Sequence, residues 1–138
     1  MKKEKEYYVL CTPLYSWDGK RLFWDELLHE QWKLITNKLE DAGIEVFIAL
    51  RDLPQSKSGS WLREKEFDII EKSKGVIVLL GNTPGIYAES GYAKGVGKSL
   101  FGVRTERFGD FGEKVQDWME SMYTKVFETP EELINFLK

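Results

Sequence analysis

The chain has 138 residues, 42% of them hydrophobic and 31% charged, with a net charge of −3. That length supports one domain, 1–138, with a real core, and is too short for two. The charge excludes the basic field that draws duplex nucleic acid. No apolar run approaches the roughly 18 residues needed to cross a bilayer.

Cys11 is the only cysteine, so no disulfide forms within the chain, and its apolar surroundings suggest a buried structural thiol. With one His as well, His29, the usual zinc ligands are missing, and neither a metal nor another cofactor is expected. The Lys-rich start leads straight into a strand and not into an apolar h-region, so a secretory signal is not expected. A cytoplasmic protein is the expectation.

In chain order, Tyr7 to Thr12 reads as the first strand and Pro13 to Gly19 as a loop at its carboxyl end. From Arg21 to about Ala42, Leu22, Phe23, Leu27, Leu28, Trp32, Ile35 and Leu39 recur at three- and four-residue spacing. This spacing predicts an amphipathic helix with Trp24 in the core and His29 on a solvated face. Gly43 closes it in the C′ role. Glu45 to Leu50 is a second strand, and Ser60 caps a helix over Trp61 to Lys72.

Val76 to Leu80 is a continuous β-branched and apolar run, the mark of a central strand buried on both faces. Gly81 to Gly85 turns the chain into a helix rich in small residues, with Glu89 in its first turn. Ser99 to Val103 begins the fourth strand. Glu113 to Met122 reads as helix and Tyr123 to Phe127 as a fifth strand. Thr129-Pro130-Glu131-Glu132 is a capping box that opens a terminal helix.

Strands alternating with helices imply an α/β doubly wound, five-stranded parallel sheet of the flavodoxin or Rossmann-like type, order 2-1-3-4-5. Ligands bind at the carboxyl edge of such sheets. Glu89 falls at that edge, although the helix dipole favours an acidic residue in a first turn without any function. Lys98 in G-V-G-K-S lacks the spacing and preceding strand of a phosphate loop, and Gly91, Gly95 and Gly97 read as close helix–sheet contacts.

The segment Tyr87-Ala88-Glu89-Ser90-Gly91-Tyr92-Ala93 resembles the signature of the nucleoside 2-deoxyribosyltransferase superfamily, which includes the deoxynucleoside 5′-monophosphate N-glycosidases. Cys11 to Tyr15 resembles its A-G-P-[LI]-F and Phe67 to Leu80 its strand-three approach. Arg104-Thr105-Glu106 and Lys114-Val115-Gln116 resemble its R-T-D and K-V-N, so nearly the whole chain is covered. The resemblance implies that Glu89 is the nucleophile at the sugar's anomeric carbon, kept ionised by the helix N-terminus. It implies a substrate-binding acid at Glu66, with Asp68 two residues on as the alternative. Thr12, Pro13, Leu14, Tyr15, Thr83, Gly85 and Gln116 would bind substrate.

Thr83, six residues before Glu89, stands where the family's transferases carry aspartate and its monophosphate hydrolases serine; a neutral hydroxyl there suits an anion, or simply caps the helix or turn. Tyr15, Trp17 or Trp61 could stack on a base, and Arg51 or Arg104 could meet a phosphate or simply lie on the surface.

The family implies a homodimer or higher homo-oligomer acting on a small-molecule nucleoside or nucleotide, without nucleic acid or membrane. Val9, Thr12, Glu66 and Gln116 depart from the family pattern. Three readings follow: a monophosphate N-glycosidase, a base-exchanging transferase, and a nucleotide-binding module without turnover.

Overall fold

The computed structural model describes residues 6–80, 84–104 and 120–138. The chain runs β1 (Tyr7–Cys11), β2 (Tyr15–Trp17), β3 (Leu22–Trp24), α1 (Glu26–Asp41), β4 (Glu45–Phe47) and α2 (Ala49–Asp52). It continues with α3 (Gly59–Lys72), β5 (Gly75–Leu79), α4 (Pro84–Gly95), β6 (Leu100–Val103), β7 (Lys125–Phe127) and α5 (Pro130–Leu137). β4, β1, β5, β6 and β7 pair in that order, every pair parallel. Counted along the chain, the sheet's strands follow the expected order 2-1-3-4-5.

Period-two alternation sorts the strands into two cores. On one face Tyr8, Leu10, Ile77, Leu79, Phe101 and Val103 meet Trp32, Ile35 and Leu39 of α1 and Leu133 and Ile134 of α5. On the other, Val9, Cys11, Val76, Val78 and Leu80 meet Ile70 of α3 and Ile86 and Ala93 of α4. Each residue of β5 is buried, as a strand covered by helices on both faces requires.

Helix ends follow local chemistry. At the end of α1, Gly43 has φ +81°, its N–H donates to the Glu40 carbonyl, and Ile44 N–H donates to the Leu39 carbonyl, a full Schellman closure. Gly97, at φ +79°, closes α4 in the same way, with Lys98 N–H on the Ala93 carbonyl. The expected close-contact role of Gly91, Gly95 and Gly97 is therefore corrected. A Cβ at any of the three would meet nothing within 4 Å, and the small residues facing the sheet are Ser90 and Ala93. Thr129 caps α5 by accepting from Glu132 N–H at 3.3 Å, while the Glu132 carboxylate reaches back to Glu128 N–H at 3.0 Å.

The largest departure lies between β1 and α1. Leu22, Phe23 and Trp24 are not helical; they form β3, antiparallel to β2 in a hairpin. Asp18 makes the turn by accepting from Lys20 and Arg21 N–H at 2.8 and 2.9 Å. Asp25 then starts α1, accepting from Leu27 N–H and from the Ser16 hydroxyl at 2.6 Å. Trp24 is 46% exposed and stacks on His29 at 3.8 Å. His29 is buried, not solvated, and its Nδ1 accepts from the Trp32 indole N–H. Two smaller corrections apply: residues from Ala49 to Asp52 are helix and not the end of a strand, and α3 is capped by Ser58, one turn before Trp61. The expected helix from Glu113 lies mostly outside the described residues.

Ile77 is fully buried at the centre of the sheet. Ile77→Ala should cost about 2–5 kcal/mol of unfolding free energy, read from urea denaturation, with the midpoint moving and the slope unchanged.

Candidate active site

The carboxyl ends of β1 and β4 open onto a cavity of about 190 Å³ whose walls include Cys11, Thr12, Leu14, Leu50, Gln55, Leu62, Glu66 and Glu89. Among its polar groups, Cys11 ends β1, Glu66 comes from α3 and Glu89 from α4, with Thr12 and Gln55 added from loops.

The helix pair sets the two carboxylates. Phe67 of α3 lies flat on Tyr92 of α4, ring centroids 4.0 Å apart and planes 7° off parallel. The Tyr92 hydroxyl donates to Glu71 at 2.6 Å. Ile86, Ser90 and Ala93 turn α4 toward the sheet, and Ser90 is hydrogen-bonded to the Tyr123 hydroxyl at 3.1 Å. Glu89 stands beside this buried stripe and is itself partly buried, as is Glu66.

Glu89 is the sixth residue of α4, in its second turn, and not in the first turn as the sequence suggested. The helix dipole acts within the first turn, so it cannot hold this carboxylate ionised. Burial instead pushes the Glu89 carboxyl up to about 8; the negative charge of Glu66 adds to the rise, and a hydrogen bond from the Cys11 thiol opposes it. Burial raises Glu66 as well. The two titrate as a pair, and near neutral pH the pair holds about one proton between them. Burial raises the Cys11 thiol well above its usual value, with the adjacent Glu89 adding to the rise, so the thiol stays protonated. Cys11 is the buried thiol that the sequence suggested, and alternation along β1 puts it on the α3–α4 face.

The remaining sequence candidates divide. Thr12 and Leu14 line the cavity, and the Thr12 hydroxyl donates to the Pro13 carbonyl at 3.1 Å. Pro13 is buried beside them, and Tyr15 is 42% exposed on the hairpin, edge-on to Trp24. Asp68 is exposed, outside the cavity wall, and paired with Lys72 at 2.8 Å. Trp61 is partly buried with Lys57 and Lys65 each 5.6 Å from its ring centre, and it does not line the cavity. Arg51 is engaged by Glu40, Asp52 and the Val46 carbonyl, and Arg104 by Glu120 and Glu128. Gly85 is the second residue of α4. Thr83, Gln116 and the side chain of Trp17 lie outside the described residues.

No protein-family model and no curated protein sequence matches the chain. Solved structures do. A 2-deoxyribosyltransferase from Bacillus psychrosaccharolyticus superposes with a TM-score of 0.71 at 17% identity, over 94% of this chain and 90% of that one. The fold is that of the 2-deoxyribosyltransferases. A CMP N-glycosidase from Clostridium botulinum shares this fold with a TM-score of 0.58 at 16% identity, over 94% and 97% of the two chains. A Leishmania mexicana 2-deoxyribosyltransferase gives 0.54 at 16% identity, over 74% and 66%. On this deoxyribosyltransferase fold the cavity sits at the carboxyl edge of the sheet, where open α/β sheets bind ligands.

A group whose folded pKa is raised binds its proton more tightly in the folded state. Its stabilisation is full below the unfolded value, 4.5, and is lost as pH rises through about 8. Glu89→Gln removes that loss. The variant should melt near the parent's temperature at pH 4 and above it at pH 9, by on the order of 5 °C, in thermal melts at the two pH values.

Proposed function

We propose that the chain is an N-glycosidase of (deoxy)nucleoside 5′-monophosphates, with Glu89 as nucleophile and Glu66 as the acid that serves the departing base. The observation that carries this reading is two partly buried carboxylates, Glu66 and Glu89, on the wall of one cavity. Cleavage of a base–sugar bond passes through an oxocarbenium-like centre, which needs one carboxylate beneath the anomeric carbon and one proton for the leaving base.

The steps balance within the pair. In the reacting microstate Glu89 is ionised and Glu66 protonated. As the base–sugar bond breaks, the Glu66 proton passes to the base and a Glu89 oxygen bonds to the anomeric carbon. The cavity still carries one negative charge, now on Glu66. Water then attacks the same carbon, Glu66 takes its proton, and Glu89 leaves as carboxylate. Thr12 and Leu14 wall the sugar. Thr83 meets the phosphate, an assignment that rests on its place six residues before Glu89. The CMP N-glycosidase of the same fold acts on a nucleoside monophosphate, which supports this choice.

Base exchange between deoxynucleosides is the second reading, favoured by the better superposition on a deoxyribosyltransferase, 0.71 against 0.58. An acceptor base would then replace the water.

Nucleosides and their 5′-monophosphates, incubated with and without an acceptor base and resolved by chromatography, decide between them. Free base should appear from monophosphates alone, fall to background in Glu89→Gln, and drop about 10²- to 10⁴-fold in Glu66→Gln. Release should peak near neutral pH and decline above about 8, where the pair loses its last proton. Product only with an acceptor would select exchange. Bound nucleotide without any product would leave a binding module.

A further inference from the structure

Tyr123 neither lines the cavity nor enters the reaction as written, yet it carries a polar group deep into the core. It precedes β7, is 7% exposed, and lies among the apolar side chains of the α3–α4 face. Its ring packs against β6 at Gly102, where a Cβ would stand 3.4 Å from the ring edge. Thr124 fixes the root of the side chain: its N–H donates to the Leu100 carbonyl at 2.7 Å, and its hydroxyl accepts from the Leu100 N–H at 3.0 Å. The far end meets Ser90 of α4, hydroxyl to hydroxyl at 3.1 Å. Ser90 is fully buried and follows Glu89 directly in the chain.

We propose that Tyr123 is a positioning residue for Glu89: through its hydrogen bond to Ser90 it fixes the rotation of α4 about its own axis that points Glu89 into the cavity. This rests on the proposed role of Glu89.

Apolar packing alone leaves that rotation loose. Ile86 and Ala93 hold α4 against the sheet, but aliphatic contacts are non-directional, and a small turn of the helix costs them little. A hydrogen bond is directional, and a buried one costs free energy when it is broken. Helical side chains stand about 5–6 Å from the axis, so a rotation of roughly 10° carries a carboxylate about 1 Å. A misplacement of that size can cost about 10²-fold in rate. Tyr92 links α4 only to another helix, through Glu71, whereas Tyr123 is rooted at the first residue of β6 and refers Glu89 to the sheet.

The double variant separates positioning from packing. Tyr123→Phe and Ser90→Ala each leave a buried hydroxyl without its partner, and each should lower the melting temperature by about 3–6 °C. Together they remove both hydroxyls with the shapes nearly kept, so the melting temperature should return to within about 2 °C of the parent. Activity should not return. In all three variants kcat for base release from a 5′-monophosphate should fall about tenfold, with KM changed less than about twofold. In the resting protein the side-chain carboxyl carbon of Glu89 is titrated by NMR. Its midpoint should move down from about 8 in the double variant, because a turned α4 takes Glu89 off the wall it shares with Glu66. Circular dichroism checks folding; if the double variant does not fold, Tyr123→Phe decides by the same two readings. In the folded variant an unmoved midpoint would overturn the inference and leave the pair as core packing, and so would a parental kcat. The titration needs no turnover, so a moved midpoint without base release from the parent would sink the functional reading alone.

Discussion

Burial of two carboxylates, Glu66 and Glu89, on the wall of one cavity is the constraint on which the rest of the site depends. Two carboxylates brought out of water into one cavity cannot both ionise cheaply, because the low local dielectric that raises each also magnifies their mutual charge. The pair therefore has to be held together by something else. The Phe67–Tyr92 stack and the Tyr92–Glu71 hydrogen bond join α3 to α4 just beyond the two acids, and the buried Ser90–Tyr123 contact ties α4 to the turn before β7. None of these residues lines the cavity. They offset the electrostatic cost without occupying the space a ligand needs.

The sheet supplies the frame for that arrangement. With β5 central and covered on both faces, α3 and α4 flank its two ends on one side, and their near neighbours along the chain fall at the same edge. Right-handed crossovers leave little other choice once the strand order is set. Glu66 and Glu89, twenty-three positions apart in sequence, are thus brought together by one strand between two helices.

The strand order and the cavity edge were legible because β5 is a continuous apolar run, α1 has a clear stop at Gly43 and α5 a clear start at Thr129. The place of Glu89 and Glu66 on the cavity wall was legible through the family resemblance, which kept Asp68 as the alternative. What was hidden depended on contacts across the fold. The hairpin of β2 and β3 was masked because Leu22 and Phe23 continue the three- and four-residue spacing of α1 backwards, although Asp18-Gly19 is a turn signal and Asp25 an N-cap. His29 looked solvated because one helical turn does not show that Trp24 covers it from outside the helix. Glu89 looked ionised because sequence gives its neighbours along the helix but not the burial or the facing acid. Its place in the second turn, beyond the reach of the dipole, completes the difference.

The raised pair also bears on the charge of the proposed substrate. A nucleoside 5′-monophosphate brings an anion to the same edge. At about 8 Å and an effective dielectric near 20, each facing pair of unit charges costs roughly 2 kcal/mol. Two ionised carboxylates would repel the phosphate twice over, whereas a pair that retains one proton near neutral pH repels it once. In the proposed reaction the same shared proton would then leave with the base. In the proposed reaction, desolvation at Glu89 and Glu66 would therefore do two things in sequence: lower the barrier to an anion's approach, and store the proton that the departing base requires. A cavity with two independent, solvated acids would do neither, which is why the packing that buries them belongs to the chemistry as much as to the fold.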